Sequence, residues 1–451
     1  MSKTEKTFPR WIPLLGGLLG SITCGMLLYA FSVFIRPLQV QFGWTVPEVT
    51  LAYSLICLVL GLMTLPAGRL SDKFGPRKVV LMGGIVMALG FFLVSTITPP
   101  DPALLTGDGA TQSTSKLPLY LLYIYYGIIA GFGGACVYLP PIATAPKWWP
   151  DKRALATGFA VVGIGLGSFV MAPVSTSMIN HFGSALPVFK YMGIAMGVIV
   201  VFAAMCLKEP PKGYKPAGWN PPQTSSEGVP QNYRDYTHEE TRKTPQFWLL
   251  WLTYFGGSFA GLMVIGLIAK HGIDAMTIAY AAREGIDALT AVPDDVAKNI
   301  AMSASFAASA LAVFNAAVRI LIGPLADRVG TKKIFVTLFA IQTVAMLFLF
   351  PAGKSAALLA ACAGLIGWNY GSIFTLFPAT LLQYYGPTNQ ASNYGLLFSA
   401  FGFAGFCGPY IGGKLQAMTG SFFAPFLVSS VVLAISVAIL ATLKAPKKIP
   451  V

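Results

Sequence analysis

Twelve apolar runs of about 20 residues constrain this chain more than any other feature. They fall at roughly 11–35, 48–67, 79–99, 117–142, 155–180, 188–207, 246–270, 301–323, 334–352, 356–382, 392–416 and 422–443. Each is long enough to cross a hydrocarbon layer of about 30 Å. A segment surrounded by lipid must satisfy its own backbone, so each run reads as a helix. A membrane β-barrel would instead show alternating segments of about 10 residues. The charged fraction is 11%, against about 25% in ordinary soluble proteins, too little to coat a soluble fold of 451 residues. The chain therefore reads as an all-α membrane protein with twelve transmembrane helices.

Basic residues set the orientation. With the N-terminus inside, 22 of the 31 Lys and Arg fall in internal segments and 8 in external segments or at the external ends of spans, and Arg319 lies within a span. This bias predicts both termini on the cytoplasmic side of the cell membrane. It also accounts for the net charge of +14 without nucleic acid as a partner. Six scattered cysteines read as small core residues, and no metal or redox spacing links them. No cleavable leader is expected, because the first apolar run is too long for one. The proline- and glycine-rich segment 208–245 reads as a cytoplasmic linker. It separates an N-terminal six-helix bundle, 1–207, from a C-terminal one, 246–451. The long external segment 271–300 is compatible with an amphipathic surface helix.

The two halves repeat. Gly68-Arg69-Leu-Ser-Asp72-Lys-Phe-Gly75-Pro-Arg77-Lys78 follows the second span, and Gly323-Pro-Leu-Ala-Asp327-Arg328-Val-Gly330-Thr-Lys332-Lys333 follows the eighth. Glycines permit tight turns, and an aspartate near a helix end can hold groups across such a loop. Arg69, Asp72, Arg77, Asp327, Arg328 and Lys332 are therefore candidates for a gating role. Asp151 and Arg153, at the entry to the fifth span, join them. Two copies at matched positions resemble the signature loop of the major facilitator superfamily. That resemblance implies two pseudo-symmetric six-helix bundles that give alternating access to a midplane site.

Arg319 is the one charge deep in a span. Such a residue costs about 2.5–3.5 kcal/mol even on the lenient insertion scale, so it marks a functional site by default. The bland alternative is an arginine snorkelling from a helix end, but Arg319 lies four residues inside Gly323. It cannot relieve the cost by losing its proton. None of the 17 acidic residues falls in the interior of a span, so an anionic substrate is its natural partner, held by two parallel hydrogen bonds. Asn315, one turn earlier, shares its face. Tyr29, Tyr138, Asn369 and Tyr370 are further candidates for a pocket wall. For each tyrosine taken alone, core packing or an interfacial belt is the commoner role, although Tyr138 stands out, because it lies in a glycine- and proline-rich stretch where a helix could be irregular. Glycines of spans 5 and 11, Gly163, Gly165 and Gly167 and then Gly405, Gly408, Gly412 and Gly413, suit close helix approach.

Four further stretches narrow the family. They are Lys147-Trp-Trp-Pro-Asp151-Lys152-Arg153, Thr244-Pro-Gln-Phe-Trp248, Asn315-x-x-x-Arg319 and Asn393-Tyr-Gly395. Together they resemble the oxalate/formate antiporter family, relatives of the monocarboxylate transporters. The resemblance implies that Arg319 binds a substrate carboxylate and that Tyr29, Tyr138 and Tyr370 line the pocket. Phe401 stands where the oxalate exchanger has a second cation, and Leu28 where it has a glutamine. One cation and an apolar wall imply a monocarboxylate, because a dicarboxylate would leave one charge unpaired in a low dielectric. Asn315 stands where proton-coupled animal relatives carry an aspartate.

The expected function is secondary transport of a small monocarboxylate (lactate, pyruvate, formate or acetate), with a proton or a counter-anion as the coupling species and no cofactor or metal. The competing readings are an oxalate/formate-type exchanger and a transporter-like sensor. A membrane enzyme is disfavoured, since no nucleophile or acid/base cluster appears and the three histidines are expected in loops. The expected partners are the small carboxylate and the lipid bilayer, with the chain acting as a monomer.

Overall fold

A computed structural model describes residues 8–100, 116–211, 214–216, 233–286, 292–447 and 449–450. The helices are α1 (Ile12–Tyr29), α2 (Ile35–Phe42), α3 (Val46–Phe74), α4 (Pro76–Ser95), α5 (Leu117–Trp148), α6 (Arg153–Val161), α7 (Gly163–Phe182), α8 (Leu186–Cys206), α9 (His238–Lys243), α10 (Pro245–Glu284), α11 (Asp294–Val329), α12 (Thr331–Ala352), α13 (Ala356–Tyr385), α14 (Gln390–Thr419) and α15 (Phe423–Thr442). Two-residue strands, β1 (Tyr233–Arg234) and β2 (Ile449–Pro450), pair antiparallel. Among the described residues ten helices are long and apolar enough to cross a membrane. Two shorter apolar helices, Ile12–Leu28 and Leu155–Gly167, fall on the first and fifth expected spans. Apart from the two-residue β1–β2 pairing, the regular structure of the described residues is helical, and the chain is a multi-pass membrane protein.

Helix ends depart from the expected spans where capping extends them. α3 begins at Val46 because Thr45 and Glu48 form a reciprocal capping box, with Thr45 N–H donating to Glu48 Oε2 at 2.9 Å. α10 continues to Glu284, and α11 begins at Asp294. No separate surface helix therefore stands in the described part of 271–300. His181, His238 and His271 lie in helices, not loops. The expected irregularity of α5 falls at Tyr123–Ala130, which takes π-helical form, and Tyr138 lies in regular helix beyond it.

By contacts the chain forms two compact units. One comprises Met1–Thr241, Leu381–Gly402 and Lys447–Val451, the other Arg242–Thr380 and Phe403–Pro446. In the first, α1 packs on α5, α7 and α8, α3 on α5, and α4 on α5 and α8. Gly163 and Gly167 make the α1–α7 approach possible: a Cβ on Gly167 would lie 2.2 Å from Ile22 O. The start of α14 groups with this unit because it lies flush against α3, where Thr64 Oγ1 donates to Gly395 O at 2.9 Å. In the second unit, α10 packs on α11 and α15, and α12 on α15.

The repeated motif has one backbone form in both copies. Helices α3 and α11 run through the first glycine and the aspartate. They stop at Gly75 (φ 85°) and Gly330 (φ 98°), from which α4 and α12 start at once. The tight turn belongs to the second glycine of each copy, where a side chain would be strained.

Candidate functional site

The second unit carries the buried cation. Arg319 is fully buried on α11. Its Nε donates to Asn315 Oδ1 at 3.0 Å, one turn back on the same face. The guanidinium carbon lies 4.5 Å from the centroid of the Phe374 ring, a cation–π geometry. Thr375 Oγ1 donates to the Arg319 carbonyl at 3.2 Å. Glycines bring these groups together: a Cβ on Gly367 would lie 2.2 Å from Leu311 O, and one on Gly371 2.4 Å from Asn315 O. Helix α13 can therefore lie directly on α11 and set Phe374 beneath the arginine. Tyr370 is fully buried and meets Phe374 edge-on, with ring centroids 5.3 Å apart.

This arrangement fixes what Arg319 can do. Asn315 occupies Nε, so a carboxylate docking in two-point fashion meets the guanidinium across its Nη edge. The amide is neutral and polarises the group without cancelling its charge. Asn369 is buried on another face of α13. It stands five residues before Phe374, about 140° around the helix, and its amide has no hydrogen-bond partner among the described residues.

The first unit gathers a different set. Tyr138 on α5 packs against Phe398 with centroids 4.7 Å apart, and Phe398 stacks on Phe401 at 4.8 Å. Leu28 is buried on α1. The side chain of Tyr29 lies outside the described residues. Phe374 and Phe398 were missed by sequence reasoning, which had weighed polar and family-matched positions. Their one signal is spacing, since Phe374 follows Tyr370 by one turn and Phe398 precedes Phe401 by one.

The gating candidates separate by environment. Asp72 Oδ2 accepts from Ser392 N–H at 3.1 Å and from its hydroxyl at 2.5 Å. Its negative charge thus lies at the N-terminus of α14, where the helix dipole favours it. Arg69 Nη2 lies 2.6 Å from His238 Nε2. A guanidinium only donates, so this ring nitrogen is the acceptor. Asp151 pairs with Arg10 at 3.0 Å, while Arg10 also lies over Trp149. Lys332 Nζ donates to Leu443 O at 2.8 Å, closing the end of α15. Arg77, Asp327 and Arg328 are exposed, and the Arg153 side chain lies outside the described residues.

The end of the linker, unremarkable in sequence, is held firmly in the first unit. Tyr236 N–H donates to Tyr385 O, and Asn389 Nδ2 to Tyr236 O, both at 3.0 Å. Thr388 N–H donates to Asp235 Oδ2 at 2.9 Å. Glu240 pairs with Arg234 and caps α9 through Thr237. The Arg234 guanidinium and the Thr237 N–H pull the Glu240 carboxyl down to a pKa of about 2. Just beyond the span in α10, burial pushes the His271 imidazole below its ordinary value. Among the described residues no group of three His, Cys, Asp or Glu could hold a metal ion.

The sequence model of the Major Facilitator Superfamily matches residues 17–292 and 288–450. The chain belongs to this superfamily. As a superfamily member it is a transporter. It is 26% identical to the uncharacterized MFS-type transporter YhjX of Escherichia coli (strain K12), with 88% of this chain and 86% of that protein covered. It is 26% identical to the oxalate:formate antiporter of Oxalobacter formigenes, covering 91% and 86%. It is 25% identical to monocarboxylate transporter 12 of Rattus norvegicus, covering 97% and 86%. The E. coli fucose:proton symporter has the same fold, with a TM-score of 0.64 at 14% identity and 98% and 100% of the chains covered.

Proposed function

We propose that this transporter carries small monocarboxylates of the lactate, pyruvate, formate or acetate type across the cell membrane by alternating access. The observation that carries this reading is Arg319, fully buried, held by the neutral Asn315 and seated on Phe374. A permanent cation in an apolar wall selects an anion, and its planar fork selects a carboxylate. Supporting relatives are an oxalate:formate antiporter and a monocarboxylate transporter. Phe401 in place of a second cation favours one carboxylate over two. Both termini are assigned to the cytoplasm on the 22-to-8 distribution of basic residues, and the chain is assigned to act alone.

The coupling species is a proton, on analogy with the monocarboxylate transporters; because Asn315 offers no titratable group beside Arg319, that proton rides with the substrate or water, or another group titrates. Anion exchange of the oxalate/formate type is the second reading, favoured by that same amide. Uptake of labelled L-lactate into proteoliposomes tests both, wild type beside Arg319→Ala. Uptake driven by an inward proton gradient and lost in the variant is expected. Uptake that requires a preloaded carboxylate establishes exchange instead. Arginine-independent uptake overturns the role given to Arg319.

A further inference from the structure

Two recesses on the first unit abut at Lys190. One is an apolar groove of about 450 Å³ between α4 and α8, floored by Ala88, Gly193 and Gly197 and walled by Phe92 and Ile194. The other, of about 540 Å³, lies at the ends of the same helices and is lined by polar groups including Gln41, Thr96 and Ser184. Lys190 lines both. No acidic side chain lines either recess, and Lys190 has no ion-pair partner among the described residues.

We propose that this surface binds one anionic phospholipid, with an acyl chain in the α4–α8 groove, the phosphate at Lys190 and the polar headgroup in the adjoining recess. Three observations support that occupant. Lys190 stands one turn inside the span Leu186–Cys206, and the polar recess begins at Ser95, just past the span Pro76–Val94. The junction is therefore at headgroup depth. From Lys190 to Val201 the groove runs about 16 Å at 1.5 Å per residue, close to one leaflet of a hydrocarbon layer about 30 Å thick. Finally, the two glycines of the floor differ. A Cβ on Gly193 would lie 2.9 Å from Phe91 Cβ, so helix packing accounts for that glycine. A Cβ on Gly197 would only touch Ala88 at 3.4 Å, an ordinary contact. Packing does not require Gly197, and its missing side chain deepens the groove.

The test uses the full chain in detergent, titrated with phosphatidylglycerol or phosphatidylethanolamine. Its readouts are the apparent melting temperature and the lipid retained in native mass spectrometry. Wild type is expected to show a saturable shift with phosphatidylglycerol. Lys190→Gln should raise the half-saturating concentration about fivefold, the worth of one basic residue at an anionic surface. Gly197→Leu fills the groove and should abolish the saturable part. Identical titrations of wild type and both variants would mean ordinary annular lipid and overturn the proposal. Equal curves for the two lipids would overturn its charge selectivity. Lys190 is exposed, so Lys190→Gln remains decisive even if Gly197→Leu does not fold.

Discussion

Replacing Arg319 by lysine keeps the charge and removes the shape. The guanidinium gives Nε to Asn315 at 3.0 Å, lies 4.5 Å above Phe374, and offers its remaining edge to a carboxylate. A lysine ammonium is a point charge on a flexible stem and reproduces the fork poorly. It is expected to lose one of two charge-assisted hydrogen bonds to the substrate, about 1.5–3 kcal/mol. At about 1.4 kcal/mol per decade, the KM for uptake should rise about 10- to 100-fold in Arg319→Lys. The protein itself should tolerate the change, since one buried cation replaces another and no second charge is added. Initial rates of labelled lactate uptake over a concentration series measure the effect, with monodispersity checked by size exclusion. A KM within about twofold of wild type would show that the anion is not gripped by a planar two-point contact, and the reasoning from Arg319 would fail.

Phe374→Leu removes the ring under the guanidinium and should weaken uptake by about 0.5–2 kcal/mol, while Phe374→Tyr should retain most of it; equal KM values in kinetic assays of all three proteins would exclude a role for the ring. Asp72→Asn and Ser392→Ala each loosen the α3–α14 contact and should each cost about 1 kcal/mol, with the double variant less destabilised than the sum; strict additivity in thermal unfolding would show that the two do not interact. Gly386→Ala combines φ 85° with a Cβ 2.0 Å from Asp235 Oδ1 and should lower the melting temperature clearly more than Gly183→Ala, which has the same sign of φ but open space around it. For Glu240 the folded pKa of about 2 lies below the ordinary glutamate value of 4.5. Its contribution to α9 is therefore complete above about pH 4.5 and is lost as the pH falls toward 2. Hydrogen exchange of the 235–243 amides should follow that window, and Glu240→Gln should remove the dependence.

How much of this was legible in the sequence depends on the range of the interaction. Transmembrane helices are local objects, because each must satisfy its backbone within itself, so apolar runs alone located the ten long apolar helices and the two shorter ones among the described residues. The repeat was legible for a related reason. Gly75 and Gly330 carry a backbone demand that only glycine meets without strain, so the chain must write it at both places. Arg319 and Asn315 were legible together because a separation of four residues fixes their common face.

The contacts that complete these features run between helices, and spacing along the chain does not encode them. Phe374 reaches Arg319 only because Gly367 and Gly371 let α13 settle on α11, and a phenylalanine in an apolar run carries no mark of that. Asn369 looked equivalent to Tyr370 as a polar residue at a span midpoint, yet one residue of helix turns it about 100° away. Asp235, Tyr236 and Asn389 were hidden differently, in segments whose proline and glycine content suggested no structure at all. Their hydrogen bonds join positions such as Asp235 and Thr388, which lie 153 residues apart. The same reasoning explains why Lys190 drew no attention as one of eight external basic residues. Its significance comes from the groove that α4 and α8 form beneath it, which Gly197 deepens although packing does not require a glycine there. A polar or charged residue in a membrane protein therefore gains its meaning from the neighbouring helix. Substitutions at the glycines that set those distances, Gly367 and Gly371 above all, should perturb the Arg319 site as strongly as changes in the residues that touch it.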